Sequence, residues 1–271
     1  MTDVGKTFRN LHVPGAPFIL ANVWDAGTAK MMASLGAQAL ATSSAAHAYV
    51  LGRPDGGALS RDDALAHAAG IVAATHLPVQ GDFENGFGDD PETCAETVLM
   101  AAEVGLAGIC IEDTALPSTD PYAIDQSVER IKAAASAART LPQDFVLTAR
   151  ADGIMLDTYD CDEAIRRLRA YAAAGADCLY APMPKSLEDH AKIIKAVDVP
   201  VNVLWAGEYV NTRQSAFAAM GAARISLGSS LARITHRAIY DAAKQMFNDG
   251  QADLLANGIS GDLIDAILSE T

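Results

Sequence analysis

From Pro17 onward the chain alternates between two textures. Short, nearly unbroken apolar runs give way to longer segments in which apolar residues return every three or four positions. The first texture predicts buried strands and the second predicts helices with one packed face. Strands are predicted at 17–25, 37–44, 77–84, 107–114, 144–152, 176–184, 199–205 and 222–230. Helices fall between them at 26–36, 60–75, 90–105, 125–140, 161–175, 186–197 and 211–221, and the rest of the chain is helical. Ser60 and Asp90 stand where N-caps belong, with Pro91 at the first turn. Gly36, Gly105, Gly175 and Gly221 punctuate four helix ends, each followed by small residues that let the chain turn into the next strand. Eight strand–helix units predict a parallel, closed (β/α)8 barrel as one domain over 1–271. An open doubly wound sheet is the alternative, but no GxGxxG follows the first strand. Residues 231–271 read as a helical C-terminal extension, ending in an amphipathic segment at 251–271.

Composition narrows the function. Half of the 271 residues are hydrophobic but only 6% are aromatic, so the core is aliphatic, as helices packed on strands require. A net charge of -14 argues against nucleic acid or an anionic membrane surface as partner. A small anionic substrate stays possible, because a local cation overrides the global field. No apolar run approaches the roughly 20 residues of a membrane span. The first ten residues lack the apolar centre of a signal peptide. Cys94, Cys110, Cys161 and Cys178 form no CxxC, which reads as reduced thiols in a cytoplasmic protein.

In a barrel of this kind chemistry collects at the C-terminal strand ends. Those ends carry Trp24 and Asp25, Thr42 to Ser44, Asp82 and Glu84, Glu112 and Asp113, Arg150 and Asp152, and Asn202 near Trp205. Residues two apart on a strand face one way, so Asp82 and Glu84 are expected to share a spot. Two such charges repel unless a cation or a shared proton relieves them. Carboxylates without His or Cys suit a hard ion such as Mg²⁺. Arg150 can clamp a substrate carboxylate bidentately, with the backbone at Ser43, Ser44 and Ala45 donating to its other end. Plainer readings stand beside these. An acidic pair is also what a cap or solvated turn shows, Asp25 can simply cap the next helix, and Arg150 with Asp152 can be a local ion pair. Ser229 and Ser230 sit where many barrels bind phosphate, or cap the last helix. Among the histidines, only His47 follows a strand within reach of the pocket. Tyr180 and Tyr209 can add hydroxyls or pack in the core.

The segments "NVWDAGTAKMMASLGAQALATSSAA", "LGRPDGGALSRDDAL", "PVQGDFENGFGDDPET", "GICIEDT", "TARADG" and "GAARISLGSSLAR" occur in order between residues 16 and 240. In them the chain resembles the isocitrate lyase/phosphoenolpyruvate mutase superfamily, in its shorter methylisocitrate-lyase-like branch. The resemblance implies a Mg²⁺ or Mn²⁺ site with Asp82 as direct ligand, and Glu84, Glu112 and Asp55 acting directly or through water. It implies a 2-oxo acid or its enolate held by Ser43, Ser44, Ala45 and Arg150, with Trp24 and Asp25 lining the pocket. It also implies a homodimer or homotetramer in which the helical end, 231–271, crosses to a neighbour.

The loop after the fourth strand departs from the family. The lyases carry a K-[KR]-C-G-H signature there, whereas residues 114–125 read "TALPSTDPYAID", without Cys, Lys, Arg or His. The phosphonomutase pattern fares no better, because Ser118 replaces its Lys and Asp120 its Asn. What remains is chemistry that needs an electron sink and a weak acid. Decarboxylation or C–C cleavage of a small 2-oxo or related di- or tricarboxylic acid, oxaloacetate-like, is expected. Arg150, Glu112, Asp55 and Asp120 are the catalytic candidates, with Tyr122 as another donor. The substrate candidates add Asp82 and Asn202. Phosphorus–carbon chemistry and a non-catalytic 2-oxo-acid binder are the alternatives.

Overall fold

The computed structural model describes residues 3–269. Eight strands, β1 (Phe18–Asn22), β2 (Ala39–Ala41), β3 (Val79–Asp82), β4 (Gly108–Glu112), β5 (Val146–Arg150), β6 (Cys178–Tyr180), β7 (Val201–Leu204) and β8 (Arg224–Ser226), close into a barrel in sequence order. Every neighbouring pair is parallel, including β1 with β8. The strands are shorter than their apolar runs, because pairing stops where the chain lifts into the loops. Helices α1 (Val4–Leu11), α2 (Ala26–Ser34), α3 (Ser44–Val50), α4 (Arg61–Val72), α5 (Pro91–Glu103), α6 (Ile124–Thr140), α7 (Cys161–Ala173), α8 (Leu187–Lys195), α9 (Gln214–Met220), α10 (Ser230–Asp249) and α11 (Gly261–Ser269) accompany the barrel. No helix among the described residues is long and apolar enough to cross a membrane.

Helix starts follow the local chemistry. Ser60 and Asp63 form a reciprocal capping box on α4, and Asp90 caps α5 ahead of Pro91. Gly36, Gly105, Gly175 and Gly221 all take left-handed backbone at the helix ends that the sequence marked. Two helices were not predicted. Four of the seven residues of α3 are buried, three of them alanines, so the helix shows little polar contrast. The eight-residue α1 precedes the first strand and packs Phe8 and His12 against Phe18.

Inside the barrel lies a polar layer. Arg224 is buried and donates to Asn202 Oδ1 at 2.8 Å, Gln80 Oε1 at 2.6 Å and Thr148 Oγ1 at 3.3 Å, and lies 3.1 Å from His12 Nε2. Asn202, expected in the pocket, therefore belongs to the barrel interior. It also donates to Ser226 Oγ at 2.8 Å. The helical ring is open beside β1 and β8. An apolar groove of about 580 Å³, lined by Leu11, Val13, Met32, Leu35 and Leu231 among others, lies there. The end of the chain does not fill it. Most of α10 is solvent-exposed, while α11 lies on α2, where Lys30 Nζ donates to Leu268 O at 3.1 Å. Residues 1–2 and 270–271 of the expected single domain, the latter pair also in the extension, lie outside the described residues.

Candidate active site

A cavity of about 420 Å³ opens at the C-terminal ends of the strands. Asp82, Glu112 and Arg150 are the last residues of β3, β4 and β5, so strand geometry alone aims them at one volume. Register supports this, since Glu112 pairs with Arg150 across the β4–β5 ladder. Arg150 Nη1 lies 3.3 Å from Glu112 and 3.9 Å from Asp82, and its Nε donates to Asp152. Its guanidinium also stands over the Tyr180 ring, 5.4 Å from the centroid. Asp82 Oδ2 accepts from both the backbone N–H and the hydroxyl of Ser44, each at 2.9 Å, which ties α3 to β3. Ser43 caps α3 and, with Ser44 and Ala45, lines the cavity.

Glu84 reaches the same cavity by a different route from the one expected. β3 ends at Asp82, so the two-residue strand argument does not apply. Glu84 instead adopts left-handed backbone with φ 46, and Gly57 N–H donates to its Oε1 at 3.2 Å. Asp55 comes from the loop between α3 and α4. As a residue it is exposed, but its carboxyl end faces the other acids.

The wall thus carries Asp55, Asp82, Glu84, Glu112 and Asp152 against one cation, Arg150. Burial pushes the Glu84 carboxyl up to about 7, with Asp82 and Asp55 adding to the effect. Burial also raises Asp152 to about 6. It raises Glu112 as well, where Asp152 adds repulsion and Arg150 opposes it. Asp55 is raised by burial and then by Asp82. Glu112 and Asp152 sit together in a dry corner, so sharing a proton lowers the energy of the pair. A hard cation would relieve the same repulsion. Among the described residues, no three His, Cys, Asp or Glu side chains stand together as a ready-made ion cage. The donor set suits an ion that uses one or two carboxylates and keeps waters, as Mg²⁺ does.

Several expected residues lie elsewhere. Trp24 is not on the cavity wall; its carbonyl accepts from His67 Nε2 at 2.8 Å behind α3. Asp25 is the N-cap of α2 in a capping box with Thr28. Asp120 is exposed and accepts from Ser118 Oγ at 2.7 Å, so its neighbours Ser118 and Thr119 meet the cavity instead. Tyr122 is buried away from the wall, where its hydroxyl bonds Asp89 and Asn85. His47 stacks flat on His67, 3.8 Å between centroids, beneath the site. Tyr209 donates to Pro184 O. Ser229 and Tyr180 do line the cavity.

Asp152 was expected at a strand end as a local ion-pair partner of Arg150 but was given no role in the site; it lines the cavity and holds Arg150 Nε. A buried group behind it fixes its position. Asp113 accepts from Asp152 N–H at 2.9 Å, from Tyr159 and Tyr171 hydroxyls at 2.8 Å each, and from Arg167 at 3.0 Å.

The chain matches a family model described as phosphoenolpyruvate phosphomutase over residues 8–247. It is 29% identical to the 2-methylisocitrate lyase of Shewanella oneidensis, covering 92% of this chain and 87% of that one. It is 28% identical to the oxaloacetate decarboxylase of Ectopseudomonas mendocina, over 95% and 89%. A crystal structure from Burkholderia cenocepacia, provisionally called a lyase/mutase, superposes with a TM-score of 0.93 at 43% identity, covering 98% and 96%.

Proposed function

The chain belongs to the phosphoenolpyruvate mutase/isocitrate lyase superfamily, and we propose that within it this protein is a lyase that breaks a C–C bond in a small 2-oxo acid, oxaloacetate-like, through an enolate. The observation that carries the reading is Arg150, held between Asp82, Glu112 and Asp152 at the mouth of the barrel. Three anchors fix its fork, so a substrate carboxylate meets a positioned cation. As the bond breaks, negative charge moves onto the C2 oxygen of the substrate, and a fixed guanidinium stabilises that charge more than it stabilises the ground state. The Ser43–Ala45 backbone shapes the opposite wall. Asp152, raised to about 6 by burial, is the wall carboxyl outside the set that would hold a metal, and such an acid can return a proton to the enolate carbon. Asp82, with Glu84, Glu112 and Asp55 directly or through water, would hold Mg²⁺ or Mn²⁺, which would polarise the 2-oxo group as a Lewis acid. Phosphorus–carbon chemistry is less favoured, because the loop after β4 brings Leu116, Pro117, Ser118 and Thr119 to the wall and no cation.

The test is proton and phosphorus NMR of the protein with Mg²⁺ and a panel of oxaloacetate, methylisocitrate, dimethylmalate, phosphoenolpyruvate and phosphonopyruvate, with Asp82→Ala as control. Accelerated loss of one carbon acid with a pyruvate-type product is expected. A change confined to the phosphorus spectrum, or turnover that survives Asp82→Ala, would refute it.

A further inference from the structure

Behind the cavity wall stands a second buried cation. Arg130, on α6, is 1% exposed. It forms no ion pair among the described residues. A buried charge without a partner is strongly disfavoured, so other groups must replace the missing carboxylate. Main-chain carbonyls do so. Arg130 Nη2 donates to Asn85 O and, at 3.0 Å, to Gly88 O, while Nη1 donates to Glu112 O at 3.4 Å. The guanidinium carbon also stands 4.1 Å from the centroid of the Tyr122 ring. The Tyr122 hydroxyl accepts from Asn85 Nδ2 at 2.9 Å and donates to Asp89.

The gripped carbonyls belong to the two stretches of chain that carry acids of the cavity. Asn85 directly follows Glu84, and Glu112 is itself on the wall. The two stretches already meet once, where Glu112 N–H donates to Glu84 O at 2.9 Å. Arg130 joins them a second time, through Asn85 O and Glu112 O. The loop at 84–88 depends on such a hold. Glu84, Gly86 and Phe87 take left-handed backbone, with φ 46, 81 and 64. Neither Asn85 O nor Gly88 O accepts from a backbone N–H among the described residues. Carbonyls left without a donor away from water are costly, and the guanidinium supplies the donors in a rigid planar fork. We propose that Arg130, backed by Tyr122, is a positioning residue: it fixes the main chain under Glu84 and Glu112 and so the spacing at which their carboxylates receive a divalent cation. This rests on the metal reading above and deepens it, since the cation would be held by acids whose own placement comes from a buried arginine on α6.

The experiment is calorimetric titration of Mn²⁺ into the wild-type protein, Arg130→Lys, Tyr122→Phe and Gly5→Ala, with the urea midpoint of each measured alongside. Lysine keeps the charge but loses the fork. Gly5→Ala is the control, because it disturbs α1 against the chain entering β5 and touches no part of the site. Arg130→Lys is expected to weaken Mn²⁺ binding by about 10–100-fold, the usual cost of removing a group that orients metal ligands. Gly5→Ala is expected to lower the urea midpoint and leave Mn²⁺ affinity as in wild type, an outcome that separates positioning from stability. Tyr122→Phe keeps the ring beneath Arg130 and removes only the hydroxyl, so it serves should Arg130→Lys not fold, and binding weaker by about threefold or more is expected. Wild-type affinity in Arg130→Lys, or in Tyr122→Phe where that variant stands in, overturns the role of Arg130 alone. So does a loss in Gly5→Ala that matches theirs. Failure of the wild-type protein to bind Mn²⁺ overturns the metal reading and this inference with it.

Discussion

Arg150 is the residue on which the site turns, and its surroundings make it hard to replace. Its Nε is committed to Asp152 while Nη1 faces Glu112 and Asp82. Lysine offers one point charge where three directions are used. Arg150→Lys is therefore expected to lower kcat/KM by about 10²–10³-fold, with the circular dichroism spectrum unchanged. Asp82→Ala is expected to abolish metal-dependent turnover while the barrel stays folded, checked by the same spectrum and by steady-state assays. At this scale the sequence was partly legible. Residues that end strands, such as Asp82, Glu112 and Arg150, could be placed because strand direction aims them. Residues in turns could not. Glu84 arrives through a left-handed backbone that no alternation encodes. Asp120 bends back onto Ser118, and Asn202 points into the barrel, because a side chain's direction in a loop or a short strand depends on neighbours distant in sequence.

Elements were legible where they carry their own signals. Capping serines and aspartates and the terminal glycines marked α4, α5 and the four helix ends correctly. The loops at the active face were harder, and α3, which Ser43 caps and which begins with Ser44 and Ala45, has little amphipathic contrast to detect. Also unpredicted was α1, although it has an apolar face, with Gly5 and Phe8 buried and Lys6, Thr7 and Asn10 exposed; its contribution is steric. A Cβ on Gly5 would overlap the backbone carbonyl of Asp144, so α1 lies against the chain entering β5. Gly5→Ala is expected to destabilise the protein by about 1–3 kcal/mol, the usual range for overpacking a tight contact. Urea denaturation at constant pH measures it. Loss of kcat without loss of stability would contradict a purely structural role for α1.

The molecule as a whole follows from the count of eight units, the most repetitive and hence most readable feature of the chain. Its electrostatic balance was not readable in that way. Three buried histidines are held neutral: His12 is lowered to about 3, by burial and then by Arg224, and His47 and His190 to about 4, chiefly by burial. A histidine that stays neutral when folded but protonates when unfolded makes the unfolded state bind more protons below its ordinary pKa near 6.5. Stability from these groups is full above that value and is lost as pH falls from 6.5 toward 4 and below. The site acids act in the opposite sense, since Glu84 and Asp152 bind protons more tightly when folded. Comparison with His12→Gln isolates the histidine. Wild type is expected to lose about 2–3 kcal/mol relative to the variant between pH 7 and pH 4, measured by chemical denaturation at each pH. Assembly belongs to this scale too. Ile234, Ile239 and Phe247 on α10 are 64%, 66% and 85% exposed, and the groove beside β1 is open and apolar. Surfaces of this kind usually meet a partner. A dimer or tetramer is expected by sedimentation at micromolar concentration, with Ile239→Asp/Phe247→Asp sedimenting as a monomer. A wild-type monomer under those conditions would remove the expectation.

The backbone at Glu84 has a consequence for how this protein can change over generations. A side chain other than glycine at φ 46 carries a strain of order 1 kcal/mol, and the buried acid among its like-charged neighbours adds more. Glycine or asparagine at that position would ease both. A lineage screened only for heat resistance would therefore drift toward Glu84→Gly or Glu84→Asn and grow sturdier as its chemistry faded. Retention of glutamate there would be the signature of selection for turnover rather than for durability.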